Sequence, residues 1–355
     1  MACITRGQRA LPAQLQHLNH QSHQSVALRC LSTSAQRQSR RPAPSSPPPP
    51  TTNTISTPSK NEINAPISTL PIELITPAPL HASAGVADKL KRYVEFGRTY
   101  LTFYKTGLKN VYRNYRASLP LRKQLGLPAY IPVSPPHTIS HNPKKEQKES
   151  RLGRGQFQLV RRSARDVRRM IPFTMILIVC GEFTPLIIPI FGSAITPATC
   201  RVPSQVEKER VGSAKRKRAA LESGKLPLKS DGTEQLHLLA KQFADPAWAA
   251  SADPASVLRA CAVFGLVKRH DKTAGTLLAG IIYRPRLARY VGYLAIDDGM
   301  IRAGGGVSAM NATEVRIAVE ERGGVDICGT SDRKQAEKLE RRWLEQWLAV
   351  KKSVQ

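Results

Sequence analysis

The chain of 355 residues carries 54 Lys and Arg against 26 Asp and Glu, which gives a formal net charge of +28. This excess favours an anionic partner, either nucleic acid, a ribosome or an anionic lipid surface, without choosing among them. The six cysteines form no CxxC pair and the eight histidines show no ligand spacing with them, which argues against a zinc site and a disulfide framework.

The N-terminal region has the composition of a targeting segment. No acidic residue precedes Glu62, and the stretch LRCLSTSAQ at 28–36 is similar to a processing site for matrix proteins. These features predict a mitochondrial presequence over residues 1–35, with a merely basic tail as the alternative. Residues 36–83 are rich in Pro, Ser and Thr and predict a disordered, solvated linker.

Residues 84–169 are predicted to form amphipathic helices and a loop. Over 86–119, apolar and aromatic residues recur at spacings of three, four and seven, and the opposite face is basic. Such a helix either lies in a lipid headgroup region or packs on a domain, and the pattern leaves both open. A second helical stretch, RLGRGQFQLVRRSARDVRRM, leads directly into an apolar segment.

The apolar segment is MIPFTMILIVCGEFTPLIIPIF at residues 170–191. Its length is close to the ~20 residues that cross a bilayer core, so we predict a transmembrane segment. Glu182 lies near its middle, between Pro172 and the pair Pro185 and Pro189. A charged side chain at the bilayer centre costs ~2.5–3.5 kcal/mol. Glu182 is therefore a candidate for ion or proton coupling, with a structural Glu that joins helices as the alternative.

Residues 204–352 are predicted to be a helical domain, because no alternating β pattern persists and several amphipathic stretches follow one another. Its N-terminal part contains four consecutive basic residues, Lys215, Arg216, Lys217 and Arg218. They are candidates for ribosome or lipid contact, and a solvated helix face is the alternative. Asn311 is predicted to cap a helix that ends at Gly323.

Two stretches that suggest chemical sites are weak. The run Gly304–Gly306 follows a helix and lacks the GxGxxG spacing of a dinucleotide site. Asp297-Asp298-Gly299 lacks the alternating acids of a calcium loop, and we interpret it as a helix-ending turn. Since a P-loop, a nucleophile elbow and an HExxH motif are also missing from the sequence, we predict a protein that is not an enzyme and has no metal and no cofactor.

Two parts of the sequence resemble the leucine-zipper/EF-hand-containing transmembrane protein family, the Letm family. The first is IPFTMILIVCGEFTPLIIPIF followed by TPATC, which has the family's proline before an apolar run and its Glu-Phe followed by Leu and Pro. The second is RLARYVGYLAIDDGMIRAGGGVSAMNATEVRIAVEERG with the later RRWLEQWL, which is similar to the family's L-x-x-D-D-x-x-I and G-G-V-x-x-L patterns and its terminal Trp-Leu helix. Together with the helix at 86–119, the resemblance covers residues 85–352.

The resemblance implies a mitochondrial inner-membrane protein whose C-terminal domain lies in the matrix. The implied fold is all-α: a membrane-anchored helical domain of the ribosome-binding type, with an array of helices like that of 14-3-3 proteins. The chain resembles the short members, which lack the EF-hand and coiled coils, so a calcium role is poorly supported.

Two functions follow from the resemblance. The leading prediction is binding of mitochondrial ribosomes in support of membrane insertion of new proteins. The alternative is potassium/proton exchange and volume homeostasis, with Glu182 as the coupling group. The expected partners are the mitochondrial ribosome and inner-membrane lipids, and a homo- or hetero-oligomer is left open.

Overall fold

The computed structural model describes residues 57–59, 61–74, 77, 85–134, 152–180, 196–224, 233–269, 273–325, 327 and 332–354. Within these residues the regular structure is entirely helical, as the sequence predicted. The α-helices are α1 (Val86–Gln124), α2 (Arg154–Cys180), α3 (Pro203–Glu222), α4 (Thr233–Leu238), α5 (Pro246–Ser251), α6 (Pro254–Val263), α7 (Thr273–Leu277), α8 (Arg284–Ala303), α9 (Ala312–Glu321) and α10 (Arg333–Val354). Short 3-10 turns occur at Ile67–Thr69, Ala198–Cys200 and Val307–Ala309, and π-helical turns precede α5 and α8 at Leu239–Phe243 and Ala279–Tyr283.

The two longest helices, α1 and α2, pack against each other. The contact buries Phe103 and Tyr104 of α1 against Phe173 of α2, where the Tyr104 and Phe173 ring centroids are 6.3 Å apart. Gly107 allows the turn Ala198–Cys200 to approach α1 closely, since a Cβ at this position would lie 2.7 Å from the Cys200 Sγ. This close approach places the start of α3 beside the helix pair.

The predicted apolar face of α1 is only partly covered. Its second half packs on the domain, with Val111 and Leu121 buried. In contrast, the side chains of Leu90, Tyr93 and Leu101 are 65%, 75% and 57% exposed. The domain-packing interpretation therefore holds for α1 from Phe103 onwards.

The main hydrophobic core lies among α2, α3 and the helices that follow. In α10, Trp343 and Trp347 stack with ring centroids 5.7 Å apart, and both are buried. The predicted cap of α9 is confirmed, because the Asn311 side chain accepts a hydrogen bond of 2.8 Å from the backbone N–H of Glu314. Gly323 ends that helix with a φ of 87°, a conformation that glycine adopts without strain.

Residues 61–74 were predicted to belong to a solvated linker, and for them this prediction is wrong. Ile63 is 5% exposed and belongs to the main core. The Asn64 side chain accepts a hydrogen bond of 2.9 Å from the backbone N–H of Asn311. The carbonyl of Asn64 lies so close to Gly155 that a Cβ there would be 2.5 Å away. The composition of the segment does not predict these contacts, because they depend on two individual residues, Ile63 and Asn64, and not on the average character of the segment.

The helices before and after the predicted membrane segment share one core. Phe157 of α2 is buried and stacks on Tyr293 of α8, with ring centroids 6.2 Å apart. Residues 84–169 and 204–352, which were predicted as separate segments, therefore do not form separate domains. The presequence predicted at residues 1–35 lies outside the described residues.

The predicted membrane segment begins as a continuation of α2. Residues 170–180 are helical, and Pro172 lies inside the helix. Glu182, Pro185 and Pro189 lie outside the described residues. Across the described ranges, no helix combines the length and the apolar character that a membrane crossing requires.

Candidate anion-binding surfaces

The predicted basic cluster lies on α3, and its four residues do not share one environment. Lys215, Arg216 and Arg218 are exposed, whereas Lys217 is 6% exposed and its Nζ donates a hydrogen bond to the backbone carbonyl of Glu320. Burial lowers the pKa of Lys217 to about 8. As an interface candidate, the cluster is thus reduced to three residues, and Lys217 instead joins α3 to the end of α9.

The helical period explains this division. Lys217 shares the inward face of α3 with Ala220 and Leu221, three and four residues later. On the outward face, Lys208 and Lys215 are seven residues apart and Arg218 follows three residues on, so these exposed cations lie along one side of the helix. We call Lys208, Lys215, Arg216 and Arg218 the α3 basic surface.

A cluster of buried ionic side chains fixes α2 to α8 and α9. Its members are all buried: Arg154, Arg162, Asp297, Asp298, Glu314 and Arg322. The guanidinium of Arg154 bridges two acids, with Nε 2.9 Å from Asp297 Oδ1 and Nη1 3.0 Å from Glu314 Oε2. Arg162 pairs with both oxygens of Glu314, at 2.6 and 2.9 Å.

The other end of this cluster connects α8 to α10. The Arg322 Nη2 lies 2.8 Å from Asp297 Oδ2 and 2.5 Å from Asp298 Oδ1. The indole N–H of Trp347 donates to the second oxygen of Asp298 over 3.1 Å. Asp297 and Asp298 lie within α8, so the interpretation of this pair as a helix-ending turn is wrong.

The charges of the buried cluster balance, with three arginines against three carboxylates. Burial disfavours the ionised form of Asp297, but Arg154 and Arg322 outweigh burial and hold its pKa below the usual value. Since every charge has a partner, the cluster has no net charge with which to bind an ion, and its role is structural.

A strongly basic cleft opens beside this cluster, between α2 and α8. Its volume is about 730 Å³. Eight basic and two acidic residues line it. The α2 wall contributes Arg161, Arg162, Arg165 and Arg168, the α8 wall contributes Arg286 and Arg289, and Arg201, Lys217, Glu320 and Glu321 complete the charged lining. We call this the arginine cleft.

Several of these cations have carboxylate partners. Arg161 lies 2.8 Å from Glu321 Oε1, and its guanidinium stacks 3.5 Å from the centroid of the Tyr293 ring. Burial opposes the charge of Glu321, but Arg161 outweighs it and lowers the pKa of Glu321 to about 2. Arg201 pairs with Glu209 over 2.6 Å. These pairs neutralise the edges of the cleft.

Arg165 is different, because no carboxylate among the described residues lies within salt-bridge distance of it. Its Nε is buried without a hydrogen-bond acceptor. Burial and the neighbouring charge of Arg161 lower the pKa of Arg165. One turn later, Arg168 donates to the hydroxyl of Ser134 over 2.9 Å. Among the described residues that line it, the cleft therefore holds more positive than negative charge.

An apolar groove lies further along α2, towards the C-terminal end of this helix. It has a volume of about 460 Å³ and runs between α1 and α2. Val111, Tyr112 and Tyr115 line it from α1, and Val167, Ile171, Met175 and Ile178 are among the residues that line it from α2.

The arginine cleft was not predicted from the sequence. The signal was present in the stretch RRSARDVRR, where Arg161, Arg165 and Arg168 follow at spacings of four and three and so share a helix face. The opposite wall, with Arg286 and Arg289, is more than a hundred residues away in the chain. Periodicity within one helix does not show such a pairing.

Cys200 and Cys261 are buried, and burial raises the pKa of each thiol to about 12. No group of three or more His, Cys, Asp and Glu within the described ranges is placed to hold a metal ion. The arrangement of charged groups in the arginine cleft supports binding of anions.

Compared with models of known protein families, with curated proteins and with solved structures, the chain matches none. The resemblance to the Letm family therefore stays a prediction from the sequence.

Proposed function

We propose that the protein binds mitochondrial ribosomes at the inner membrane and supports membrane insertion of new proteins, as a short member of the Letm family. The observation that carries this proposal is the α3 basic surface, on which Lys208, Lys215, Arg216 and Arg218 are exposed on one helix. Exposed Lys and Arg side chains bind the phosphates of ribosomal RNA and release condensed counterions, which makes the affinity high at low salt.

The rest of the proposal comes from the sequence. The targeting segment, the membrane anchor over 170–191, the matrix location and the 14-3-3-like arrangement of the helices are expectations from composition and from the family resemblance. The all-helical domain and the continuation of α2 into residues 170–180 agree with this proposal.

Co-sedimentation of the full-length protein with purified mitochondrial ribosomes tests the proposal. We expect saturable binding, well above that of an unrelated protein of equal net charge. Binding no stronger than that of the control protein would contradict it.

Potassium/proton exchange through Glu182 is the alternative function. Glu182→Gln removes the ionisable group, so exchange in vesicles is expected to stop while ribosome binding is unchanged. Exchange that survives the substitution would remove Glu182 from that role.

A further inference from the structure

The arginine cleft and the apolar groove adjoin on one helix. Arg168 lines the cleft, and Ile171 and Met175 follow it by three and seven residues, so the three side chains lie along one side of α2. Arg165, one turn before Arg168, faces the cleft interior. A basic site therefore continues into an apolar surface within two helical turns.

The basic part of this surface carries more positive than negative charge among the described residues. Arg165 has a buried Nε without an acceptor, and its pKa is lowered by burial and by Arg161. Arg286 and Arg289 face it from α8 and are exposed. Since a buried N–H without a partner is unfavourable, an oxyanion between these guanidinium groups would supply the hydrogen-bond acceptor that the Arg165 Nε lacks.

The apolar part is exposed to an unusual degree. The side chains of Ile171, Met175, Ile178 and Val179 are 62%, 65%, 77% and 84% exposed. Tyr112 on the facing side of α1 is 61% exposed. A contiguous apolar patch of this kind marks a surface that another apolar group covers.

We propose that this composite surface binds an anionic phospholipid. Its phosphate lies between Arg165 and Arg168 in the cleft, and an acyl chain lies in the groove along Ile171 and Met175. Phospholipids are the ligand class that joins a phosphodiester to a long apolar chain, so they match both halves of the surface. An RNA backbone or a free phosphate uses the cleft and leaves the groove uncovered.

This lipid site is separate from the proposed ribosome contact, because the α3 basic surface contributes none of the residues named for it. It is also more specific than membrane attachment in general, since it requires a negative headgroup at two named arginines.

The test titrates the detergent-solubilised full-length protein with dioctanoyl phosphatidylglycerol, dioctanoyl phosphatidylcholine and inorganic phosphate, by calorimetry. The variants are R165Q/R168Q in the cleft and Met175→Gln in the groove. The control R333Q/K334Q removes two exposed charges at the start of α10, where neither residue lines the cleft. Arg168→Gln alone, at an exposed position, replaces the double variant if that variant does not fold.

We expect phosphatidylglycerol to bind at least tenfold more tightly than phosphatidylcholine. R165Q/R168Q should bind phosphatidylglycerol at least tenfold more weakly than the wild type does, and the control variant should bind it like the wild type. Met175→Gln should weaken phosphatidylglycerol binding and leave phosphate binding unchanged.

Three results would overturn the proposal. The first is equal binding of the two lipids. The second is an equal affinity of the cleft variant and the control. The third is phosphate binding as tight as that of phosphatidylglycerol, with no effect of Met175→Gln, which would show a phosphate or RNA site without a lipid. Ribosome co-sedimentation of R165Q/R168Q distinguishes failure of the lipid proposal from failure of the ribosome proposal. Since the two sites share no residue, lost lipid binding with normal ribosome binding supports both proposals.

Discussion

Arg154, the first residue of α2, donates its Nε–H to Oδ1 of Asp297 over 2.9 Å, although 143 positions separate the two residues in the chain. Both side chains are fully buried. The pair joins α2, which enters the apolar segment, to α8 in the C-terminal part. Because α2 and α8 form the two walls of the arginine cleft, this contact helps to set the position of one wall relative to the other.

Arg154→Met is expected to destabilise the protein strongly. The substitution leaves Asp297 and Glu314 without one of their buried partners, and breaking a buried pair costs about 3–5 kcal/mol. The free energy of unfolding from urea titration measures the effect. Arg342→Met, at an exposed position on α10, is the control and should change the free energy by less than about 0.5 kcal/mol. Equal values for the two variants would show that the buried cluster does not hold α2.

A fragment of residues 204–355 is expected not to fold cooperatively. It lacks Phe157 of the main core and both Arg154 and Arg162, so Glu314 keeps neither of its arginine partners. Circular dichroism during heating tests this, with residues 57–355 as the control fragment that retains these contacts. A sharp transition of the shorter fragment would contradict the shared core.

Stability is expected to fall in acid through Glu321. Its pKa is lowered from 4.5 to about 2, so the folded state binds this proton less readily than the unfolded chain does. The stabilisation is therefore fully present above pH 4.5 and is lost as the pH falls towards 2. The lowered pKa corresponds to roughly 2–4 kcal/mol. Glu321→Gln should be less stable than the wild type at pH 7, and the difference should shrink between pH 4.5 and 2. A constant difference would contradict this origin.

Arg165→Gln is expected to stabilise the protein, on the order of 1 kcal/mol. The substitution removes a buried Nε without an acceptor and a charge beside Arg161. Arg161→Gln, one turn away on the same helix, is the matched comparison and should destabilise, because Arg161 pairs with Glu321. Thermal unfolding measures both. If the two substitutions destabilise equally, Arg165 is a structural residue and the cleft has no surplus charge.

Local features of the sequence were sufficient for much of the fold. The helical periods predicted α1, α9 and α10, and the cap at Asn311 followed from its spacing to Glu314. These features depend on residues within one or two turns of each other, which is the range over which periodicity and capping act.

The site depends on contacts that local patterns do not contain. Asp297-Asp298-Gly299 was interpreted as a helix-ending turn, but Arg154, Arg322 and Trp347 from outside α8 pair with the two carboxylates inside this helix. Lys217 appeared equivalent to its neighbours until the packing of α3 on the end of α9 placed it inside. Such assignments require knowledge of which helices meet.

The salt dependence of ribosome binding tests the central claim most directly, that the exposed cations of α3 contact ribosomal phosphates. The full-length protein and the variant K215Q/R216Q/R218Q would be co-sedimented with mitochondrial ribosomes from about 50 to 200 mM KCl. The control K334Q/R333Q/R342Q removes three exposed charges from α10. We predict that the slope of log affinity against log salt becomes smaller in magnitude by about 2–3 for the α3 variant, at 0.7–0.9 per lost phosphate contact, while the control keeps the slope of the wild type. Equal slopes for all three proteins would contradict the claim.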